Sequence, residues 1–518
     1  MVFNYGVDRL NLGILEEITS GKRKGILNEK AISQINQSAR EVQKIVENKK
    51  PVYGINTGLG QLCDISIPEK DILILQSNIL QSHACGVGKP IPRDIAKKML
   101  ITKVHSLAMG YSGVRLETLN RILWHIEEDI IPLVPEKGSV GASGDLAPLA
   151  HLFLPLIGMG KVQLGDDIVQ GSDLYLKYNK APLILQAKES LGLINGTQFI
   201  LSYACSGLVR FHNLLEMADL AGALSLEGLM GSIRPFDPRI HALRPYKGTE
   251  WVAQKLFFLL KESNIVQDHQ NCERVQDPYS IRCMPQVHGA SRNAWLHLKE
   301  LTEIELNSIT DNPIIFDADD SISGGNFHGQ PLAMALDYAS LAAAELGNIS
   351  DRRSYLLTEG RFGLPKLLVK NPGLNSGLMI PQYTSAALVS ENKSLCFPAS
   401  ADSIPTSLGQ EDHVSMGSIS SRKLHQILDN LEYILAIELL YATQALDFRR
   451  PLQSTPILEA CYDLIRGKVP SLENDRILSQ DIEKIHQLII QETLWNKVLE
   501  TIEIEKLPYP HHEEFRIY

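Results

Sequence analysis

Apolar residues recur at helical spacing through most of the second half of the chain. From Ile200 to Gly231 they keep one face with few breakers, until Pro235 and Pro238 end the run. Leu424 to Phe448 repeats the pattern, with Leu428, Leu431, Leu435, Leu439 and Ala442 along a single stripe. Leu332 to Gly347 is rich in Leu and Ala on nearly every face, which predicts a helix buried inside a bundle rather than lying on a surface. Residues 1–200 differ in texture: short helical patterns are interrupted by Gly and Pro, as in a domain built around loops. Leu472 to Lys506 reads as helices with charged faces, and an irregular, exposed polar tail is expected from Pro508. These patterns predict a mainly α protein with an N-terminal α-rich domain (1–200), a central helical bundle (201–450) and C-terminal helices with a tail (451–518). A helix apolar on all sides also calls for neighbouring subunits, so an oligomer is expected.

Composition narrows the partners. The 518 residues carry a net charge of −10, without a lysine- or arginine-rich run, which argues against nucleic acid and anionic membrane. Seven cysteines are scattered without a CxxC pair, so neither a disulfide framework nor a zinc site is expected, and no metal is assigned. The first residues lack a basic segment followed by an apolar run, so no signal peptide is expected, and the longest apolar stretch, Leu149 to Gly160, is too short to span a bilayer. A cytoplasmic setting is the resulting expectation.

The most informative segment is Gly141-Ala142-Ser143-Gly144-Asp145-Leu146. Small residues surround one serine ahead of a helix start, with Asp145 as expected N-cap and Pro148 in the first turn. A backbone so free of bulk can fold back on itself. Attack of the Gly144 nitrogen on the Ala142 carbonyl carbon closes a five-membered ring. Loss of water, including the Ser143 hydroxyl, then leaves a methylidene-imidazolone, an electrophile made from the chain. Glycine suits position 144 because a side chain would crowd the compressed loop. An ordinary tight turn is the plainer reading of Ala-Ser-Gly alone. A hydrolase elbow fails because Asp145 stands where the last glycine of G-x-S-x-G belongs, and no Gly-Lys-Ser/Thr phosphate loop follows.

The longer string Gly138-Ser139-Val140-Gly141-Ala142-Ser143-Gly144-Asp145-Leu146-Ala147-Pro148-Leu149-Ala150-His151 is far more specific. It resembles the ring-forming segment of the aromatic amino-acid ammonia-lyase family, in its histidine-acting branch above all. Tyr53-Gly54-Ile55-Asn56-Thr57-Gly58 and Gln276-Asp277-Pro278-Tyr279-Ser280-Ile281-Arg282-Cys283 resemble two further signatures of that family. The resemblance runs from about Tyr53 to Asp447. It implies a central bundle of the fumarase/aspartase-like type and a homotetramer whose active sites draw on more than one subunit. It also implies an autocatalytic cofactor from Ala142, Ser143 and Gly144; no His/Asp/Glu cluster has metal-ligand spacing and no nucleotide loop appears, so no dissociable cofactor is expected.

Eliminating ammonia from an amino acid requires an electrophile, a base for a feebly acidic β-hydrogen, and an anchor for the carboxylate. By resemblance Tyr53 is the base, and its phenol must be pushed below its usual pKa near 10 by cationic or dipolar neighbours. The planar guanidinium of Arg282 suits the carboxylate, while Gln276 and Tyr279 can hydrogen-bond the amino-acid backbone or the ring. Asn195 matches an asparagine that meets the ring oxygen or the carboxylate, and Phe327 an aromatic packed nearby. His83, Met379 and Glu411 match positions around the substrate's own ring. A buried carboxylate satisfies both the N–H and the positive charge an imidazole can carry, whereas beside a phenyl it would be a costly unpaired charge. Glu411 therefore points to L-histidine, with trans-urocanate and ammonia as products. A tyrosine or phenylalanine ammonia-lyase or aminomutase of the same family stays open. So does an uncyclised helical assembly subunit, and Glu411 could instead be a structural carboxylate at a helix start, with His413 as its partner.

Overall fold

A computed structural model describes residues 2–48, 51–269 and 274–518. Its frame is a set of long helices. Gln198–Gly228 is buried along nearly its whole length, opening only at Val209, Arg210 and His212. Gly417–Asp447 packs against it and against Gln330–Thr358, and Met284–Glu305 closes the group. The stripe expected from sequence (Leu428, Leu431, Leu435, Leu439 and Ala442) is wholly buried. At about 1.5–3 kcal/mol for each large apolar side chain removed from water, such a stripe outweighs any weakness in local propensity.

The bundle core is also ionic. Glu216 and Asp219 of Gln198–Gly228 face Lys255 from Lys247–Leu260 and Arg292 from Met284–Glu305, while His288 Nδ1 lies 2.7 Å from Asp219 Oδ1. Arg353 grips Glu438 through Nε and Nη2, at 2.5 and 2.9 Å, and both side chains are fully buried. Each carboxylate finds its cation on a different helix, so the charges tie the bundle together across its seams.

Before the bundle, the buried Arg93–Ala108 helix packs against Gln198–Gly228 and is flanked by Leu12–Thr19 and Leu116–Glu127. Short strands trim this region, among them the antiparallel set Ile130–Pro132, Lys161–Leu164 and Asp167–Gln170.

Two expectations need correction. The Gln330–Thr358 helix is not enclosed on every side: Met334, Tyr338, Leu341 and Tyr355 are exposed, at helical spacing along one edge. Its Leu/Ala content hid this stripe, because small and large apolar residues alternate around the whole circumference. The tail after Pro508 is docked rather than free. Phe515 is buried, its carbonyl oxygen lies 3.0 Å from His212 Nε2, and Tyr509 packs edge-on to Trp251. Among the described residues, no helix is long and apolar enough to cross a membrane.

Candidate active site

The Ser143 loop sits where helix ends converge. Leu146–Phe153 leaves it directly. Met416 N donates to the Val140 carbonyl at 2.9 Å and Ser418 Oγ to the Ser139 carbonyl at 2.6 Å, which fastens the loop to the start of Gly417–Asp447. On the other side it pairs with the turn before Gln198–Gly228. Gly196 N donates to the Ser143 carbonyl at 3.2 Å, and Asp145 N donates to the Gly196 carbonyl at 2.8 Å. The backbone there is compressed. Ser143 holds φ +50°, and a Cβ on Gly144 would stand 2.1 Å from the Gly196 oxygen, so only glycine fits. Such a loop suits ring closure sterically.

Asp145 does not cap its own helix, contrary to the expectation from sequence. Its buried carboxylate takes the N–H groups of Phe199 and Ile200, each at 3.1 Å, and so caps the Gln198–Gly228 helix. That helix begins 53 residues later in the chain and lies close in space, a partner that local spacing cannot reveal. Burial pushes the carboxyl up to about 7, against the opposing pull of those two donors.

Glu411 reaches the same place from the other direction. Ser143 Oγ donates to its Oε1 at 3.1 Å, and Thr406 Oγ1 to its Oε2 at 2.9 Å. It is not at a helix start, and His413 lies 3.3 Å from His328 instead of pairing with it. Between Glu411, Thr406, Ala142 and His83 lies a cleft of about 220 Å³. His83 ends the Ile72–His83 helix, half-buried, with Nδ1 2.8 Å from the Ile79 carbonyl oxygen. A larger surface hollow of about 490 Å³ lies beside Arg450, which Glu459 already holds at 2.8 Å through both oxygens, and it contains none of these groups.

Tyr53 belongs to this cluster, and its hydroxyl accepts from Gly60 N at 3.3 Å. Its expected downward shift is not found within the single chain. Burial raises the phenol above its usual range, and the negative charge of Glu411 pushes the same way. Asn195 is buried, with Nδ2 donating to the Asn312 carbonyl at 3.2 Å and Oδ1 unpartnered. The loop carrying Phe327 is close by. Gly324 N donates to Asn312 Oδ1 at 2.8 Å, and Gly329 approaches Ser415, which also touches Gly141.

The remaining candidates lie elsewhere in the chain. Gln276 and Tyr279 are exposed, the latter by 72 %, and Arg282 stacks on the Tyr279 ring at 4.6 Å with its buried Nε unpartnered. The Ser280 carbonyl accepts from Arg353, near the end of the Gln330–Thr358 helix, whose beginning touches the Ser143 loop region. Twenty-odd residues of helix separate the two ends, about 35 Å at 1.5 Å per residue. Met379 goes with the distant group: one turn on, Gln382 bonds Asp351 at 3.3 Å. One chain thus gathers Tyr53, His83, Ala142, Ser143, Gly144, Asn195 and Glu411, with the Phe327 loop adjoining. It holds Gln276, Tyr279, Arg282 and Met379 apart.

Sequence reasoning missed Thr406 and Lys103. Thr406 gave no signal. Lys103 gave a faint one, a cation set between the apolar residues Leu100-Ile101 and Val104. Among the described residues no cluster of three or more His, Cys, Asp or Glu could hold a metal ion, and Cys272 lies outside them.

A helical bundle bearing a strained serine loop and a facing carboxylate defines the class, and the comparisons give the family. The chain belongs to the aromatic amino acid lyase family, whose model matches residues 10–467, and it is therefore an enzyme, a lyase. It is 46 % identical over 484 residues to the histidine ammonia-lyase of Myxococcus xanthus, covering 93 % of this chain and 95 % of that one. The crystal structure of histidine ammonia-lyase from Trypanosoma cruzi superposes with a TM-score of 0.89 at 39 % identity, over 99 % of this chain and 96 % of that one. The tyrosine aminomutase of Streptomyces globisporus superposes with a TM-score of 0.91 at 31 % identity, over 97 % and 99 %. Near-equal superposition on enzymes named for different substrates means that the backbone alone does not select the substrate.

Proposed function

We propose that this chain deaminates L-histidine without oxidation, giving trans-urocanate and ammonia, at a methylidene-imidazolone formed from Ala142, Ser143 and Gly144. The observation that carries the reading is Glu411: its carboxylate lies 3.1 Å from Ser143 Oγ, across the cleft from His83. A carboxylate at that distance from the reacting position suits a side chain with an N–H to donate and a positive charge to gain. Relatives above 40 % identity that carry the histidine ammonia-lyase name support the same substrate.

The ring would supply an electrophilic methylidene carbon for the substrate. The positive φ of Ser143 and the glycine-only contact at Gly144 fit its formation, and the unpartnered Asn195 Oδ1 is an acceptor left for a substrate N–H. Tyr53 takes the β-proton, Glu411 and His83 orient the imidazole, and Arg282 holds the carboxylate with Gln276 and Tyr279 beside it. Phe327 and Met379 wall the site.

Because Arg282 stands about 35 Å along the bundle from its own Ser143 loop, it serves the loop of a neighbouring subunit, in a homotetramer. The arriving guanidinium is then the cation that lowers the Tyr53 phenol. The exposed apolar stripe of Gln330–Thr358 supports such an assembly. A cytoplasmic setting is part of the proposal, supported by six described cysteines that are all free.

Intact-protein mass and a substrate panel test the reading. The wild type is expected to lack two waters and to release urocanate from L-histidine, with no coumarate or cinnamate from tyrosine or phenylalanine and no β-amino acid. Ser143→Ala, which lacks the hydroxyl that leaves as the second water, should keep its fold, show the full mass of its unmodified chain and lose turnover. A fully active Ser143→Ala enzyme would refute the proposal.

A further inference from the structure

Lys103 sits inside the Arg93–Ala108 helix with its side chain buried. Its neighbour Lys188 is as deeply buried but pairs with Asp311 at 2.6 Å. Among the described residues Lys103 has no carboxylate within ion-pair distance. Its ammonium meets two neutral oxygens, the Asn195 carbonyl at 2.5 Å and Gln198 Oε1 at 3.5 Å. An ammonium placed this way is costly. Burial accordingly lowers its pKa to about 7, with Lys188 adding to the effect and Asp311 and Asp145 opposing it.

The bonds beyond it give the cost a direction. Lys103 donates to the carbonyl oxygen of the Asn195–Gly196 peptide, and the N–H of that same peptide donates to the Ser143 carbonyl at 3.2 Å. A cation on one end of an amide withdraws electrons through it and makes the N–H a stronger donor. The charge of Lys103 is thus relayed through one peptide to the oxygen of the residue proposed to become the ring.

We propose that Lys103 is a positioning residue for self-modification, acting through the Asn195–Gly196 peptide to hold and polarise the Ser143 carbonyl while the ring forms. The inference rests on the ring reading above. In the first step the Gly144 N to Ala142 C bond forms. The Ala142 oxygen leaves as water with the protons of Gly144 N and Ser143 N, leaving a double bond between Ala142 C and Ser143 N. In the second, Ser143 loses its Cα proton and its Oγ hydroxyl as a second water, and Cα=Cβ forms. Removal of the Cα proton moves an electron pair toward the Ser143 oxygen, where a strengthened Gly196 N–H stabilises it.

The test compares Lys103→Met, which keeps the length of the side chain without its charge, with Lys103→Arg, which keeps the charge. Intact mass is followed with time alongside the thermal midpoint. The Met variant is expected to fold with an unchanged or raised midpoint, because the desolvated charge is gone, yet to lose its two waters at least tenfold more slowly. Arg should restore most of the rate. A Met variant that dehydrates as fast as the wild type overturns the role. Should Met fail to fold, Lys103→Gln, a neutral donor, takes its place: slower dehydration supports the role and wild-type dehydration overturns it. A wild-type protein that retains both waters would overturn the ring, and with it the task assigned to Lys103. Loss of the waters in the wild type and in Lys103→Met alike would remove this residue's part only.

Discussion

Glu411 and Asp145 are carboxylates a few ångströms from one loop, and their surroundings give them different tasks. Glu411 is half-exposed beside the cleft, with Thr406 on one oxygen and, on the other, the Ser143 hydroxyl, whose departure in the proposed ring formation frees that oxygen for a substrate. Glu411→Gln removes its charge and keeps its shape. A charge-assisted hydrogen bond contributes about 1.5–3 kcal/mol, so kcat/KM for histidine should fall roughly ten- to hundredfold in a steady-state assay. Asp145 is sealed in, and its carboxyl is raised to about 7 from an ordinary value near 4. Between those values the folded protein binds a proton that the unfolded chain has released. Its contribution to stability is therefore complete in acid and is lost as pH rises from about 4 through 7. Asp145→Asn should remove that part of the slope, seen as the difference between the thermal-midpoint pH profiles of the two proteins over this range. Both carboxylates stand out in the sequence, but for Asp145 only a local helix cap could be read there. The task of Asp145 depends on a helix that begins far along the chain.

At the scale of elements, the long periodic runs were the most legible part. Ile200 to Gly231 and Leu424 to Phe448 lie within or overlap the helices Gln198–Gly228 and Gly417–Asp447, because a 3.6-residue period sustained over many turns admits no other buried form. Charges inside those helices were not legible, since a periodicity argument treats each as solvent-facing. Glu438 shows what was hidden. It lies on the helix that supplies the apolar stripe, yet it accepts from Arg353 and from Ser225 and Ser350, on two other helices. Glu438→Gln would leave the guanidinium buried without a counter-charge, and loss of one partner of such a pair costs about 3–5 kcal/mol. A chemical-denaturation midpoint should fall accordingly, and a variant as stable as the wild type would mean that the helices are held by apolar packing alone.

At the scale of the whole molecule, the separation of the candidate residues decides what an active site is. The Ser143 loop and Arg282 lie near opposite ends of a rigid 29-residue helix, so no side-chain movement within one chain brings them together. Sequence motifs named both groups but carried no information on this distance, which arises only when the helix is built. The proposed shared site makes a quantitative demand. A Ser143→Ala chain and an Arg282→Met chain should each be inactive alone, one for want of the electrophile and the other for want of the carboxylate anchor. Coexpressed, they place an intact loop from the second chain beside an intact Arg282 from the first. If assembly is random and each site takes these two residues from different subunits, about one site in four is whole, so roughly a quarter of wild-type turnover should return. A site built from one chain gives a different result, because every loop would then be missing either its serine or its arginine, and the mixture would stay as inactive as its parts. Activity measured on purified mixed oligomers, with subunit composition read by native mass spectrometry, separates the two arrangements.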